Sequence, residues 1–387
     1  MQGVEKSHCD ATIEAVLAAY YGLMDSTVEE ALKPVLAYGK SDTLGLDANP
    51  EINIIGHLQR YDKYSVVITE ETGDNDSYHF LDSADPRRFR TVFICDPTDR
   101  SAQIKQLFEG YEDKRRPVRE VIRDDATLKR WEDQFGAPAT ITGASSAVTC
   151  IRRGVPVFAV IANYITQQLF LSSSAGNFVL ALPADRKLAG TINTSHVLLH
   201  GEQIYFRDLD STDVRRFVTF MGKAGYKENL TESRLVGDGD VEKFLHYPFP
   251  GGPLRILYLS DLQPAERQIG FILSNGEKIG EWIHWLPFIR FAKKENDQGE
   301  PALRLFEVCQ DRPWTKEGIL MSTTPPYSIF KSMGESDQRL VVDVGRFSSF
   351  QNPSKIRSTL IVTPYENDWA TRVVKQYGYR PIELYSE

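Results

Sequence analysis

The chain is poor in cysteine, with four in 387 residues, at Cys9, Cys95, Cys150 and Cys309. No two form a CxxC pair, and four are too few to staple a protein of this size, so they read as reduced thiols. Long apolar runs are missing too. None approaches the roughly 18 to 20 residues that span a bilayer, and the opening MQGVEKSHCDATIEAV carries charges where a signal peptide would be apolar. The expectation is a cytoplasmic protein with no membrane partner. Positive charge is not in excess either: 45 Lys and Arg stand against 53 Asp and Glu, a net charge of -8. Phosphate backbones are bound by clustered Lys and Arg, which argues against nucleic acid as a routine partner. An acidic chain can still hold small phosphates through metal ions. Internal repeats and low-complexity tracts are absent, which sets aside repeat architectures.

What is present reads as an ordinary globular protein, 41% hydrophobic and 25% charged. At this length one hydrophobic core is strained, so two domains, or one large layered one, are expected. CDATIEAVLAAYYGLM, 9–24, has helical spacing, and Ser26 with Glu29 three residues on reads as a capping box opening a second helix. A polar loop, GKSDTLGLDANP, leads to a strand in YSVVITEETG, so two helices precede the first strand. Residues 104–134 are dense in both charge signs and partly helical in pattern, either a solvated surface insertion or a lid. GASSAVTCIRRG reads as a small-residue helix stopped by Gly154, and VPVFAVIANYITQQLFLS as a strand hairpin turning near Thr166 and Gln167. Further on, STDVRRFVTFMGKAG reads as a helix, and LRILYLSD and ALRLFEVC as strands. RSTLIVTP then reads as the last strand and NDWATRVVKQYG as a closing helix. Without a long βαβ regularity, the expected class is α+β in stacked layers.

The chemistry gathers at TVFICDPTDRSAQ, 91–103. Val92, Phe93 and Ile94 bring a buried strand straight into Asp96 and Asp99, while the earlier strand ends in Glu70 and Glu71. If the two strands are neighbours, three or four carboxylates surround one point. Such a cluster repels itself unless cations neutralise it, and hard oxygen ligands select magnesium or manganese over zinc. The alternative is that each acid caps a strand or a following helix.

The order of ITEET, FICDPTDRS and GASSAVTCIRRGVPVFAVIANYITQQLFLSSSAGNFV resembles the inositol monophosphatase and fructose-1,6-bisphosphatase superfamily over roughly residues 8–180. That family shows a paired-glutamate strand end, then D-P-[IL]-D-G-[ST], then W-D in the second domain. The resemblance implies a layered α/β/α/β/α sandwich. Residues 1–185 would form an α+β metal- and phosphate-binding domain, with the 104–134 insertion, and 186–387 an α/β substrate domain. It implies that Glu70, Asp96 and the Thr98 carbonyl hold a first magnesium ion, with manganese as the alternative, and that Asp96 and Asp99 hold a second. Ser101 would orient the attacking water with Glu70, and the amides opening the helix after Asp99 would meet phosphate oxygens. Lys40 and Asp47, before the glutamates, also match, and the resemblance adds Asp47 to the catalytic set. The implied activity is hydrolysis of a small phosphorylated metabolite, an inositol, sugar or nucleotide-linked phosphate, by a protein that is often a homodimer in this family.

Two departures stand out. Arg100 replaces the glycine of the motif, and either clamps phosphate with Ser101 or crowds the pocket. In EWIHWLPFIRFA, Trp285 matches the tryptophan of W-D, but Leu286 stands where the aspartate belongs. Glu281, or Asp368 in NDWA, is the substitute acid to consider. These departures favour the rival reading, a catalytically weakened relative that binds a ligand or partner. Other patterns read as decoys: GASSA lacks the last glycine of a nucleophile elbow, His196 and His200 lack the acid of H-E-x-x-H and sit in a strand-like stretch, and GDGD at 237–240 is a turn.

Overall fold

The computed structural model describes residues 3–36, 43–63, 65–69, 71, 91–135, 144–205, 271–274, 283–293, 302–309, 330–332, 340–342, 359–364 and 380–383. In chain order it begins with α1 (Gly3–Asp25), α2 (Val28–Leu32), α3 (Gly45–Tyr61), β1 (Val66–Thr69) and β2 (Val92–Asp99). Next come α4 (Ser101–Glu109), α5 (Val118–Val121), α6 (Asp125–Phe135), β3 (Ser145–Arg152), β4 (Val155–Asn163), β5 (Gln168–Ser173) and β6 (Gly176–Ala181). Short helices at Arg186–Ala189 and Thr194–His200 lead to β7 (Glu202–Ile204).

These strands form one seven-stranded sheet in sequence order, β1 to β7. Only β1 and β2 are parallel; every later neighbour is antiparallel. The parallel register, Thr69 opposite Cys95, sets the carboxyl ends of β1 and β2 side by side. On one face lie α1 and α3: α1 packs on β3, β4 and α3, and α3 packs on β2. Being covered on two sides, α1 buries Cys9, Ile13, Val16, Leu17, Tyr20, Leu23 and Met24 together with Ala15, Ala18 and Ala19. Its small residues admit that close approach.

Farther along the chain, β8 (Phe271–Ser274), β9 (Leu303–Cys309), β12 (Thr359–Pro364) and β13 (Arg380–Glu383) form a four-stranded antiparallel sheet. A two-stranded ribbon joins β10 (Phe330–Ser332) and β11 (Leu340–Val342). The Trp285–Arg290 helix lies between the sheets, packing on β4 and β5 of one and β9 of the other. His284, just before this helix, is hydrogen bonded to Thr149 of β3, which ties the helix to the middle of the seven-stranded sheet. The architecture is α+β: a mixed seven-stranded sheet plus helices. Where β3 turns into β4, Gly154 has φ +80°, and a Cβ there would stand 2.6 Å from Val341 Cβ, so the turn calls for glycine.

Several sequence expectations are corrected. The capping box is Thr27 with Glu30, one residue later than expected: the Thr27 hydroxyl takes the Glu30 amide while the Glu30 carboxylate takes the Thr27 amide. GLDANP does not continue a loop; it opens α3, so three helices precede the first strand. SSAVTCIR is the interior strand β3, between β2 and β4, not a helix. His196 and His200 lie on a helical turn, rings 4.6 Å apart, rather than on a strand. RSTLIVTP is not the last strand, since β13 follows it. The charged insertion folds as the rest of α4, α5 and α6. There α5 packs on α1 and α2, α6 packs on α4 around the buried Trp131, and Arg119 pairs with Asp25. The stretches read as STDVRRFVTFMGKAG, LRILYLSD, GDGD and NDWATRVVKQYG lie outside the described residues.

Candidate active site

The site is built where β2 ends. All eight residues of β2 are buried, and they include Asp96, Thr98 and Asp99, at 4 to 5% exposure. Burying two carboxylates three residues apart costs free energy unless a cation or donors meet them. The strand is irregular here, its pairing with β3 shifting between Asp96 and Asp99. Such a shift re-aims side chains at a strand end. Asp99 then stands opposite Ser145 of β3, which stands opposite Asn163 of β4. Asp99 Oδ2 and Ser145 Oγ are buried and make no hydrogen bond among the described residues.

The turn carrying the acids is braced from three sides. The Ser146 hydroxyl donates to the carbonyl oxygen of Pro97 at 2.5 Å. Thr98 Oγ1 donates to the carbonyl of Leu46 in α3 at 2.6 Å, the residue beside Asp47. Tyr164, fully buried, meets the Ser146 hydroxyl at 2.5 Å and the Thr98 side chain, and stacks on Tyr20 with centroids 5.5 Å apart. Burial raises its phenol pKa, so it stays a protonated donor. Sequence reading missed Ser145, Ser146 and Tyr164 as site supports. Their only signal was position, at the ends of the strands beside β2.

Arg100 follows Asp99 in the left-handed conformation, φ 66° and ψ 31°, as the N-cap of α4. An L residue pays roughly 1 kcal/mol to hold that region, which glycine enters freely. Its side chain is buried, with Nε 3.7 Å from Asp99 Oδ2. The backbone here takes a shape that glycine enters freely, and the Arg100 side chain lies against Asp99. Ser101 is the first residue of α4, so its hydroxyl and the first-turn amides share one end of the helix.

Of the remaining expected site residues, Asp47 is buried in the first turn of α3, close enough to Tyr164 for its charge to act on that phenol. Glu71 is buried at the end of β1 and accepts from Thr43 Oγ1, while Thr69 Oγ1 donates to Glu51. Lys40, Glu70 and Glu281 lie outside the described residues, as does Asp368. Leu286 is fully buried among apolar neighbours. Its helix starts beside Thr149, at mid-sheet, and ends with Arg290 Nη1 donating to Pro156 O, at the end of β4 far from Asn163.

The donor set is oxygen throughout, which fits a hard divalent cation. Among the described residues no group of three or more His, Cys, Asp and Glu gathers to hold a metal. The oxygen donors that the turn itself offers are Asp96, Asp99 and the Thr98 carbonyl. Burial pushes the Cys9 thiol up to about 12 and those of Cys95 and Cys150 well above their ordinary value. All three are free cysteines and poor nucleophiles. A surface groove of about 580 Å³ runs along α1 and α3, lined by Asp10, Glu14, Tyr21, His57 and Arg186 among others, and shares no residue with the acids. No described helix is long and apolar enough to cross a membrane.

No family model and no curated protein matches the chain. Solved structures do. CysQ from Bacteroides thetaiotaomicron, a bacterial member of the inositol monophosphatase family, is 13% identical with a TM-score of 0.43, over 93% of this chain and 97% of its own. An inositol monophosphatase from Anabaena is 12% identical with a TM-score of 0.38, over 89% and 94%. Inositol monophosphatase II from Staphylococcus aureus is 9% identical with a TM-score of 0.36, over 86% and 85%. All three are inositol monophosphatase family members. That is the family the motif residues resemble. The likeness is loose, and the chemistry of the site stands on its own residues.

Proposed function

We propose that the chain is a magnesium-dependent phosphomonoesterase acting on a small phosphorylated metabolite, an inositol, sugar or nucleotide-linked phosphate. The observation that carries this is the pair of buried carboxylates ending β2, Asp96 and Asp99, set where α4 begins, with an Asp99 oxygen that makes no hydrogen bond among the described residues. Asp96, Asp99, the Thr98 carbonyl and Glu70 would hold the cation. Bound there, magnesium would acidify a water and draw charge from the phosphoryl oxygens. Glu70 and Ser101 would orient that water and Glu70 would take its proton. The α4 amides would receive the phosphate oxygens. Ser146, Thr98 and Tyr164 keep the turn in place, so little reorganisation is needed as charge develops. The buried free thiols suit a reducing compartment, and the reading places the protein in the cytoplasm.

One observation favours a second reading, a binding protein of the same fold. Leu286 is sealed in the apolar core, so it adds no acid to the site. Phosphate release from a panel of small phosphomonoesters, with magnesium and with a chelator, separates the two. Magnesium-dependent release is the expected result. A protein that binds the metal and hydrolyses no ester would belong to the second reading.

A further inference from the structure

We propose that the Arg100 guanidinium takes the place of a second cation beside Asp99, so that the site binds one divalent ion where a two-metal site would bind two. This rests on the metal reading above and goes beyond it, because it assigns a role to the residue that departs from the motif.

Three observations converge. Arg100 holds a left-handed backbone that disfavours any side chain, yet the side chain is there and is buried. Its Nε lies 3.7 Å from Asp99 Oδ2, an ion-pair distance longer than a hydrogen bond, and that oxygen makes no hydrogen bond among the described residues. The guanidinium thus answers the Asp99 charge without capping its lone pair, as a counter-ion would. Finally, Leu286, which stands at the sequence position of a third acid for the second metal, is sealed in the core.

Charge balance gives the consequence. Asp96 and Asp99 carry two negative charges, and Arg100 returns one positive charge from within a few ångströms of Asp99. One divalent ion already outweighs the net charge that Asp96, Asp99 and Arg100 leave. A second would face the fixed guanidinium at close range in a site shielded from water, where like-charge repulsion is weakly screened. Arginine cannot relieve this by losing its proton.

The test is manganese stoichiometry, by equilibrium dialysis with electron paramagnetic resonance of the free ion, on the full chain. The wild type is expected to bind one ion. Arg100→Gly suits the left-handed backbone and is expected to bind a second, at least about tenfold more tightly than any second binding in the wild type. Adding Asp99→Asn to Arg100→Gly should remove the second ion again. Arg100→Asn, another residue that tolerates the left-handed region, should behave like the glycine variant and covers the case in which glycine unsettles the turn. Two ions on the wild type, or one on both Arg100 variants, would overturn the proposal while leaving the metal site in place. No ion on any variant would remove the metal reading, and this one with it.

Discussion

Thr98 Oγ1 donates a 2.6 Å hydrogen bond to the carbonyl of Leu46, and that carbonyl lies four residues before Pro50 within α3. Proline has no amide hydrogen to return to it, so a helical acceptor is left open. The side chain that closes it comes from the turn between the two acids. One hydrogen bond therefore repairs α3 and fixes the distance between Asp47 and the Asp96–Asp99 turn.

Thr98→Val keeps the shape and the backbone carbonyl but removes that donor. The expected cost is about 1–3 kcal/mol, the penalty for a buried acceptor left unmet, read as a lowered urea midpoint. In a Pro50→Ala background the backbone amide regained by the substitution can serve Leu46, so the same Thr98→Val change should cost markedly less. Equal costs in the two backgrounds would sink this account of the linkage.

His284 is fully buried against Thr149 at 2.7 Å, and burial pulls its pKa down from 6.5 to about 3. The folded protein keeps this imidazole neutral where the unfolded chain takes up a proton. Stability is therefore fully present above pH 6.5 and falls as pH drops toward 3, at about 1.4 kcal/mol per pH unit once well below 6.5. His284→Asn, which can keep the Thr149 contact, should flatten that part of the profile in urea unfolding between pH 7 and 4. An unchanged slope would mean that His284 is not held neutral.

Leu286→Asp is expected to place an unpaired carboxylate in the core between the sheets. The loss should be at least about 3 kcal/mol, seen as a large drop in the urea midpoint, with no gain in manganese stoichiometry. A stable variant with tighter metal binding would instead put Leu286 at the site.

Much of this was legible in the sequence for a physical reason. β2, β4 and β5 announce themselves through β-branched and aromatic residues, and the acids of DPTD stand out because polar groups end an apolar run. What failed were elements whose state is set by their neighbours. SSAVTCIR has the small residues of a helix, yet it is an interior strand, where small side chains admit α1 on one face and the Pro97 turn at its end. GLDANP looks like a loop because of its glycine and proline, but Gly45 starts α3 and Pro50 is tolerated through the Thr98 donor. Arg100 was legible as a departure, while its role needed the 3.7 Å approach to Asp99.

The central claim is that the acids ending β2 hold a cation that hydrolyses a phosphomonoester. It is tested most directly by comparing magnesium-dependent phosphate release in wild type and Asp96→Asn, with circular dichroism to check the fold. Release by the wild type that falls at least about a thousandfold in a folded Asp96→Asn, a loss on the scale of removing a group that stabilises developing charge, is the predicted result. Undiminished release by Asp96→Asn would contradict the account.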